Sequence, residues 1–210
     1  MTMSSYGAIA YTPSVRDAQR RLGSPIAWSA EDPDAEYQLG PNEAEFIRGA
    51  DGFFQATVSQ TGWPYVQFKG GPSGFVHVLD ETRIGYADLR GNRQYISVGN
   101  LTHDNRVALF FVDYPSRRRL KLFGRASLSN DDAILGIVAQ GADRGRVERA
   151  VLIDVVAGAW NCPQHITPRW TAQQIAAAVE PLRARIAELE AQLAPDVSSG
   201  TPSSWRSSTP

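Results

Sequence analysis

The chain has 210 residues, 42% hydrophobic and 20% charged, enough for one ordinary globular domain with terminal decoration and too few for two large ones. With 21 basic against 22 acidic side chains, the net charge of −1 excludes bulk attraction to DNA or to an anionic membrane surface, so any anion must be met by a local cluster. The single cysteine, Cys162, excludes an internal disulfide framework; the first thirty residues hold no apolar run of signal-peptide length, and no stretch reaches about eighteen consecutive apolar residues, so a soluble, cytoplasmic protein is expected.

Thr12-Pro13 reads as an N-cap followed by a first-turn proline, and Gly23 as a stop, which predicts a short helix from Pro13 to Leu22. Pro41, followed by Glu43, Ala44, Glu45 and Phe46, starts a second helix that Gly49 closes. From Phe53 the apolar period becomes two. It predicts strands at Phe53 to Ser59, Pro64 to Lys69, Phe75 to Leu79, Arg83 to Ala87, Arg106 to Asp113 and Arg119 to Ser129. Connectors such as Gln60-Thr61-Gly62 and Asp80-Glu81-Thr82 are too short to cross over, so the pairings should be antiparallel hairpins. Six such strands in succession argue for a small barrel.

Between the sixth and seventh strands, Ile134, Leu135 and Val138 mark a helix over Asp131 to Gln140, begun by Asn130. The seventh strand, Ala150 to Val156, is nearly all apolar and is expected to be central. After Arg169, Ile175, Val179, Leu182, Ile186, Leu189 and Leu193 recur at threes and fours, with Pro181 expected to interrupt them. That spacing fits either a short coiled coil with a partner or a helix packed on its own barrel. The stretch from Pro195 to Pro210 is rich in Ser, Thr and Pro and is expected to be disordered. The organisation is therefore an N-terminal helical extension over 1–50, a barrel over 51–169, a helix over 170–194 and a tail over 195–210, mainly β with peripheral helices.

The run from Tyr86 to Leu101 carries most of the chemical information. A strand ends there, and the polar turn Asp88-Leu-Arg-Gly-Asn-Arg-Gln94 leads into a short helix. Helix starts offer free N–H groups to anions; Gly91 allows close backbone approach and Arg93 adds a fork suited to phosphate oxygens. A strand-to-helix connection with a solvated arginine fits the same residues. Lys69 ends its strand where Gly70-Gly71-Pro72 opens into a loop. Exposed ion pairs contribute roughly 0 to 1 kcal/mol, whereas charge-assisted hydrogen bonds to a partly buried anion reach about 1.5 to 3 each, so several donors must converge. In the strand from Arg119, alternation puts Arg119, Lys121, Phe123 and Arg125 on one face and Leu120, Leu122, Gly124 and Ala126 on the other, a cationic side and a core side.

Taken in order, Gly62 to Gly71, Asp88 to Ser97, Asn105 to Tyr114 and Arg119 to Ala126 resemble the pyridoxamine 5'-phosphate oxidase-like FMN-binding split barrels, over about Glu43 to Arg169. The resemblance implies an antiparallel split β-barrel and a homodimer with FMN at the subunit interface. It places Lys69 and Arg93 on the phosphate, with Asn92 beside them, and Gln67, Asp88, Gln94 and Ser97 among the cofactor-binding residues. It brings Arg119 and Lys121 from the second subunit toward the isoalloxazine, where positive charge stabilises the anionic reduced flavin. Tyr6 to Pro13 and Trp160 to Arg169 look like signatures of an uncharacterised bacterial branch. The Arg-x-His substrate-phosphate motif of the pyridoxamine 5'-phosphate oxidases proper is absent from this sequence. Hydride transfer between flavin and a nicotinamide or small organic substrate is the implied activity, and a flavin, deazaflavin or haem carrier without turnover the alternative.

Trp160, Cys162, His165 and Arg169 form a candidate strip at the end of the seventh strand. Trp160 is a candidate cofactor contact, and His165 and Cys162 are candidate catalytic groups; packing for Trp160, an inert thiol for Cys162 and a turn cap for His165 fit equally. His77 between Val76 and Val78 reads as structural, and His103 as a solvated turn residue. One cysteine and three dispersed histidines offer no zinc spacing, and neither a Gly-x-Ser-x-Gly elbow nor a glycine-rich βαβ nucleotide loop is present. The basic strand is too short for a nucleic-acid surface.

Overall fold

In a computed structural model of the chain, residues 6–24, 36–143 and 146–193 are described; the tail expected at Pro195 to Pro210 lies outside them. The chain divides into two compact units, Met1–Pro168 and Arg169–Pro210.

The first unit begins with α1 (Tyr6–Ala10), a helix that the sequence did not announce, and α2 (Pro13–Arg21), where Thr12 accepts a hydrogen bond from the Val15 N–H as its N-cap. Pro41 opens α3 (Pro41–Gly49), whose Ala44 and Ile47 are buried. Among the described residues seven strands follow: β1 (Gly52–Val58), β2 (Pro64–Gly70), β3 (His77–Val78), β4 (Arg83–Leu89), β5 (Arg106–Asp113), β6 (Arg118–Ser129) and β7 (Val147–Asn161). Between them lie α4 (Ile96–His103) and α5 (Asp132–Val138). The strands form one sheet in the order β2-β1-β5-β6-β7-β4-β3, antiparallel at every pairing. This is the expected split barrel, mostly β with peripheral helices.

Boundaries shift where a neighbour dictates. Only His77 and Val78 of the third expected strand pair with β4, because the Phe75 N–H turns back to Pro72 while its ring stacks on Phe53. β7 is twice as long as the apolar run predicts, since its polar ends pair with β4 on one side and β6 on the other. α5 is capped by Asp131 rather than Asn130, through bonds from the Ala133 and Ile134 N–H groups. His103 stands in the last turn of α4, not in a free turn.

Alternation puts Phe53, Leu109, Phe111, Leu120, Leu122, Ile84 and Ile153 inside the barrel. Phe53 is the hub: its ring lies 4.8 Å from Phe111 and 5.5 Å, edge-on, from Tyr86. At the β6–β7 bulge, a Cβ on Gly124 would lie 2.9 Å from the Asp154 carbonyl, so only glycine fits.

No ladder joins the edge strand β2 to β4, and buried side chains tie β4 and α4 to β1, the strand beside β2. The Tyr86 hydroxyl donates to Gln55 Oε1 at 2.7 Å, and Asn100 of α4 donates to Thr57 at 2.9 Å, all four residues buried. Burial pushes the Tyr86 hydroxyl far above the ordinary tyrosine range, so it remains a donor at any working pH. Gln55 Nε2 has no hydrogen-bond partner among the described residues. Tyr86→Phe should therefore lower stability by about 1 to 3 kcal/mol in urea denaturation, because the Gln55 carbonyl then loses its buried partner; an unchanged midpoint would show that this bridge is dispensable.

The second unit holds α6 (Ala172–Leu193), in which no residue is buried. Pro181 lies inside it rather than interrupting it. Its missing N–H removes one bond, and the strong helix formers around it, Ala176 to Ala178 and Leu182 to Ala187, carry the helix through.

Candidate functional site

β2 alternates between outward Val66 and Phe68 and half-buried Tyr65, Gln67 and Lys69 on the other face. Lys69 Nζ lies 3.3 Å from Asp88 Oδ1 on β4, with only 15% and 13% of the two side chains exposed. This ion pair spans the split between the two strands. Opposite Asp88 in the β4–β7 register stands Arg149, whose Nε is 3.5 Å from Asp88 Oδ2 and whose Nη2 is 3.0 Å from Glu148 Oε2. Glu148 also accepts from Arg90 at 3.1 Å and from the Tyr95 hydroxyl at 3.0 Å. Desolvation would raise the Glu148 pKa, but these bonds from Tyr95, Arg90 and Arg149 outweigh it and hold the carboxyl below the usual range.

The loop from β4 to α4 takes a conformation that its composition does not require. Arg93 and Tyr95 both have positive φ, 61° and 51°, with Gln94 between them in the ordinary region. Non-glycine residues at positive φ are uncommon, cost of order 1 kcal/mol each and gather at binding sites. Alternation of this kind turns backbone N–H groups into anion-binding concavities. Tyr95 is also the N-cap of α4 and makes no side-chain cap bond, so the first turn keeps free N–H groups. Gly91 is not the residue that bends the chain: its φ is not positive, and a Cβ there would meet no atom within 4 Å.

These elements enclose a cleft of about 230 Å³ lined by Gln67, Lys69, Asp88, Arg93, Gln94 and Ser97 among others. A second cleft, about 270 Å³, shares Gln67, Lys69 and Asp88 and continues past Phe75 and Val138. The Ser97 hydroxyl donates to Gln67 at 2.9 Å, and Asn92 accepts from the Gln94 N–H at 3.2 Å, which shapes the loop. Two carboxylates, Asp88 and Glu148, face four cations: Lys69, Arg90, Arg93 and Arg149. The excess of two positive charges matches a phosphate monoester, which carries about −1.5 to −2 near neutral pH.

The structure thus brings together Gln67, Lys69, Asp88, Asn92, Arg93, Gln94 and Ser97. Sequence reasoning missed Arg90, Tyr95, Glu148 and Arg149; only the β4–β7 register, invisible locally, sets the last two beside Asp88. Of the remaining expected residues, none lines the two clefts of its own chain. Arg119 reaches the backbone carbonyls of Cys162 and Gln164 and lies 3.7 Å from the Cys162 sulfur. Lys121 sits 4.9 Å over the Tyr6 ring. Trp160 packs: its indole N–H donates to Glu43 at 2.5 Å, Phe46 meets it edge-on, and Arg118 lies 4.4 Å over its ring. Cys162 and His165 are exposed, with His165 at a φ of 61°.

The model of the family described as pyridoxamine 5'-phosphate oxidase matches residues 39–154, more than half of the chain and all of the split barrel but the end of β7. The chain belongs to the pyridoxamine 5'-phosphate oxidase family. No curated protein matches it. Solved structures similar to it include HupZ of Group A Streptococcus, at 18% identity over 63% of this chain and 99% of that one, with a TM-score of 0.48. HutZ of Vibrio cholerae, described as a haem storage protein, is similar at 17% identity over 57% and 90%, with a TM-score of 0.39. A Clostridium acetobutylicum protein of the pyridoxinephosphate oxidase family is similar at 16% identity over 64% and 94%, with a TM-score of 0.40. Within this family member, no helix among the described residues is long and apolar enough to cross a membrane.

The ion-pair geometry makes Asp88 a competitor for Lys69 and Arg149 the residue that neutralises it. Asp88→Asn should tighten inorganic phosphate binding by about tenfold, or about 1.4 kcal/mol, and Arg149→Met should weaken it by a similar factor although Arg149 does not line the cleft. Calorimetric titration of both variants checks this; weakening by Asp88→Asn would mean that the carboxylate positions Lys69 more than it competes for it.

Proposed function

We propose that this protein is a homodimeric FMN-dependent oxidoreductase acting on a nicotinamide or small organic substrate. The observation that supports it most is the convergence of Lys69, Arg93 and the uncapped start of α4 on one cleft whose charge suits a phosphate monoester. Lys69 and Arg93 hold the phosphate, with Ser97, Gln94 and Asn92 beside it and Gln67 fixing Ser97. Bound FMN supplies the hydride-accepting chemistry; the chain supplies charge, orientation and exclusion of water. Neither cleft beside Lys69 is lined by a histidine, which favours a phosphate-bearing flavin over an axially ligated haem.

The second subunit is assigned on surface chemistry. An antiparallel sheet face left to solvent should be polar, yet the outer face of β2, β1 and β5 presents Val66, Phe68 and Phe54 beside Ala108 and Phe110, next to Phe123 of β6, on which Tyr6 of the same chain stacks. Val66 and Phe68 are both 59% exposed. Lys121 is opposite Phe110 on the same outer face, so a second copy seated there receives Lys121 at its interface. Arg119 and Lys121 therefore complete the cleft of the opposite subunit in this assignment.

Purified protein should be yellow and should elute at twice the mass of the chain in size-exclusion chromatography with light scattering. Lys69→Ala combined with Arg93→Ala should keep that mass and lose the flavin. A colourless wild type that takes up no FMN would sink the cofactor assignment, and stoichiometric flavin in the double variant would put the phosphate elsewhere.

A further inference from the structure

The helix α6 is one unbroken element of 22 residues that buries none of its side chains, although it carries Ile175, Val179, Leu182, Ile186, Leu189 and Leu193. Leu182 is 63% and Ile186 55% exposed. In proteins most helical stability comes from packing an apolar face rather than from propensity, so an exposed stripe of this kind calls for a partner. The apolar positions are spaced alternately four and three residues apart, a repeat of 3.5 rather than 3.6. With Val179 and Ile186 at heptad a, Leu182 and Leu189 fall at d. The flanking e positions are Ala176, Arg183 and Glu190, and the g positions are Ala178, Arg185 and Gln192. A helix laid on a globular core widens its stripe into e or g; here those positions are small, charged or polar, so the seam is the narrow kind.

We propose that α6 pairs with α6 of a second copy of this chain as a parallel, in-register two-stranded coiled coil. Three observations select this occupant. In the four central layers, β-branched Val179 and Ile186 at a with Leu182 and Leu189 at d favour two parallel strands, while the reversed choices, Ile175 at d and Leu193 at a, are confined to the two helix ends. In that arrangement Arg185 at g meets the partner subunit's Glu190 at e, an attractive pair repeated on both sides of the seam. The antiparallel register with full overlap instead sets Arg183 against the partner's Arg183 and Arg185 against the partner's Arg185, and so is disfavoured by like charge. Pro181 occupies a c position, on the outer face, so its ring and missing N–H stay clear of the seam. The pairing is independent of what the cleft beside Lys69 holds.

The test is disulfide trapping in the full chain with Cys162→Ser as background. Leu189→Cys places a thiol at d, where an in-register parallel pair brings the two copies within disulfide distance; Ala184→Cys places one at f, facing solvent. Mild oxidation should give covalent dimers from Leu189→Cys at least about tenfold faster than from Ala184→Cys. Equal rates would mean that the helices are merely tethered near one another. No dimer from Leu189→Cys would mean an antiparallel pair, a helix held by its own chain or one awaiting a different protein; each of these results overturns the proposal.

Discussion

The ion pair between Lys69 and Asp88 does two things at once. A sheet whose order runs β2-β1-β5-β6-β7-β4-β3 leaves β2 and β4 without a backbone ladder between them, and this pair is among the side-chain contacts that hold the split together. The same lysine faces the cleft under α4, so the cation that closes the barrel is also the cation available to an anion. Two acids in a cleft proposed to hold a negative ligand look like a contradiction until Arg149 and Arg90 are placed behind them. Those arginines neutralise Asp88 and Glu148 and leave Lys69 and Arg93 in surplus.

Every other element of the site follows from keeping that arrangement in place. Tyr86 and Gln55, buried at the centre of the barrel, hold β4 against β1 just behind the pair. Asn100 and Thr57 fix α4 to β1, and Ser97 and Gln67 fix its start to β2. The positive φ values at Arg93 and Tyr95 are then the local strain of a loop clamped at both ends, by β4 and by Glu148. Three connected bridges position the donors, rather than one rigid loop.

Strand identity was legible in the sequence because period-two alternation survives folding from Gly52 to Val58 and in the two strands between Arg106 and Ser129. Lys69, Arg93 and their neighbours were legible because they lie in two short runs of known pattern. What local pattern cannot give is register. Glu148 and Arg149 are forty or more residues from the rest of the cleft, and only pairing across β4 and β7 reveals them. Gly91 misled for a related reason: glycine advertises conformational freedom, yet here Arg93 and Tyr95 take the unusual backbone angles, with the Tyr95 hydroxyl bonded to Glu148. Trp160, which suggested a cofactor contact, donates its hydrogen bond to Glu43 of α3, meets Phe46 edge-on and carries Arg118 over its ring, all in the same chain.

The proposed FMN site requires the cleft beside Lys69 to recognise a phosphate and not the isoalloxazine alone, which a comparison of FMN with riboflavin decides. The two differ only in the phosphate, and two charge-assisted contacts of about 1.5 to 3 kcal/mol each predict that FMN binds at least about a hundredfold tighter, with an advantage that shrinks as salt rises. Equal affinity for the two at low salt would mean that Lys69 and Arg93 do not hold the phosphate.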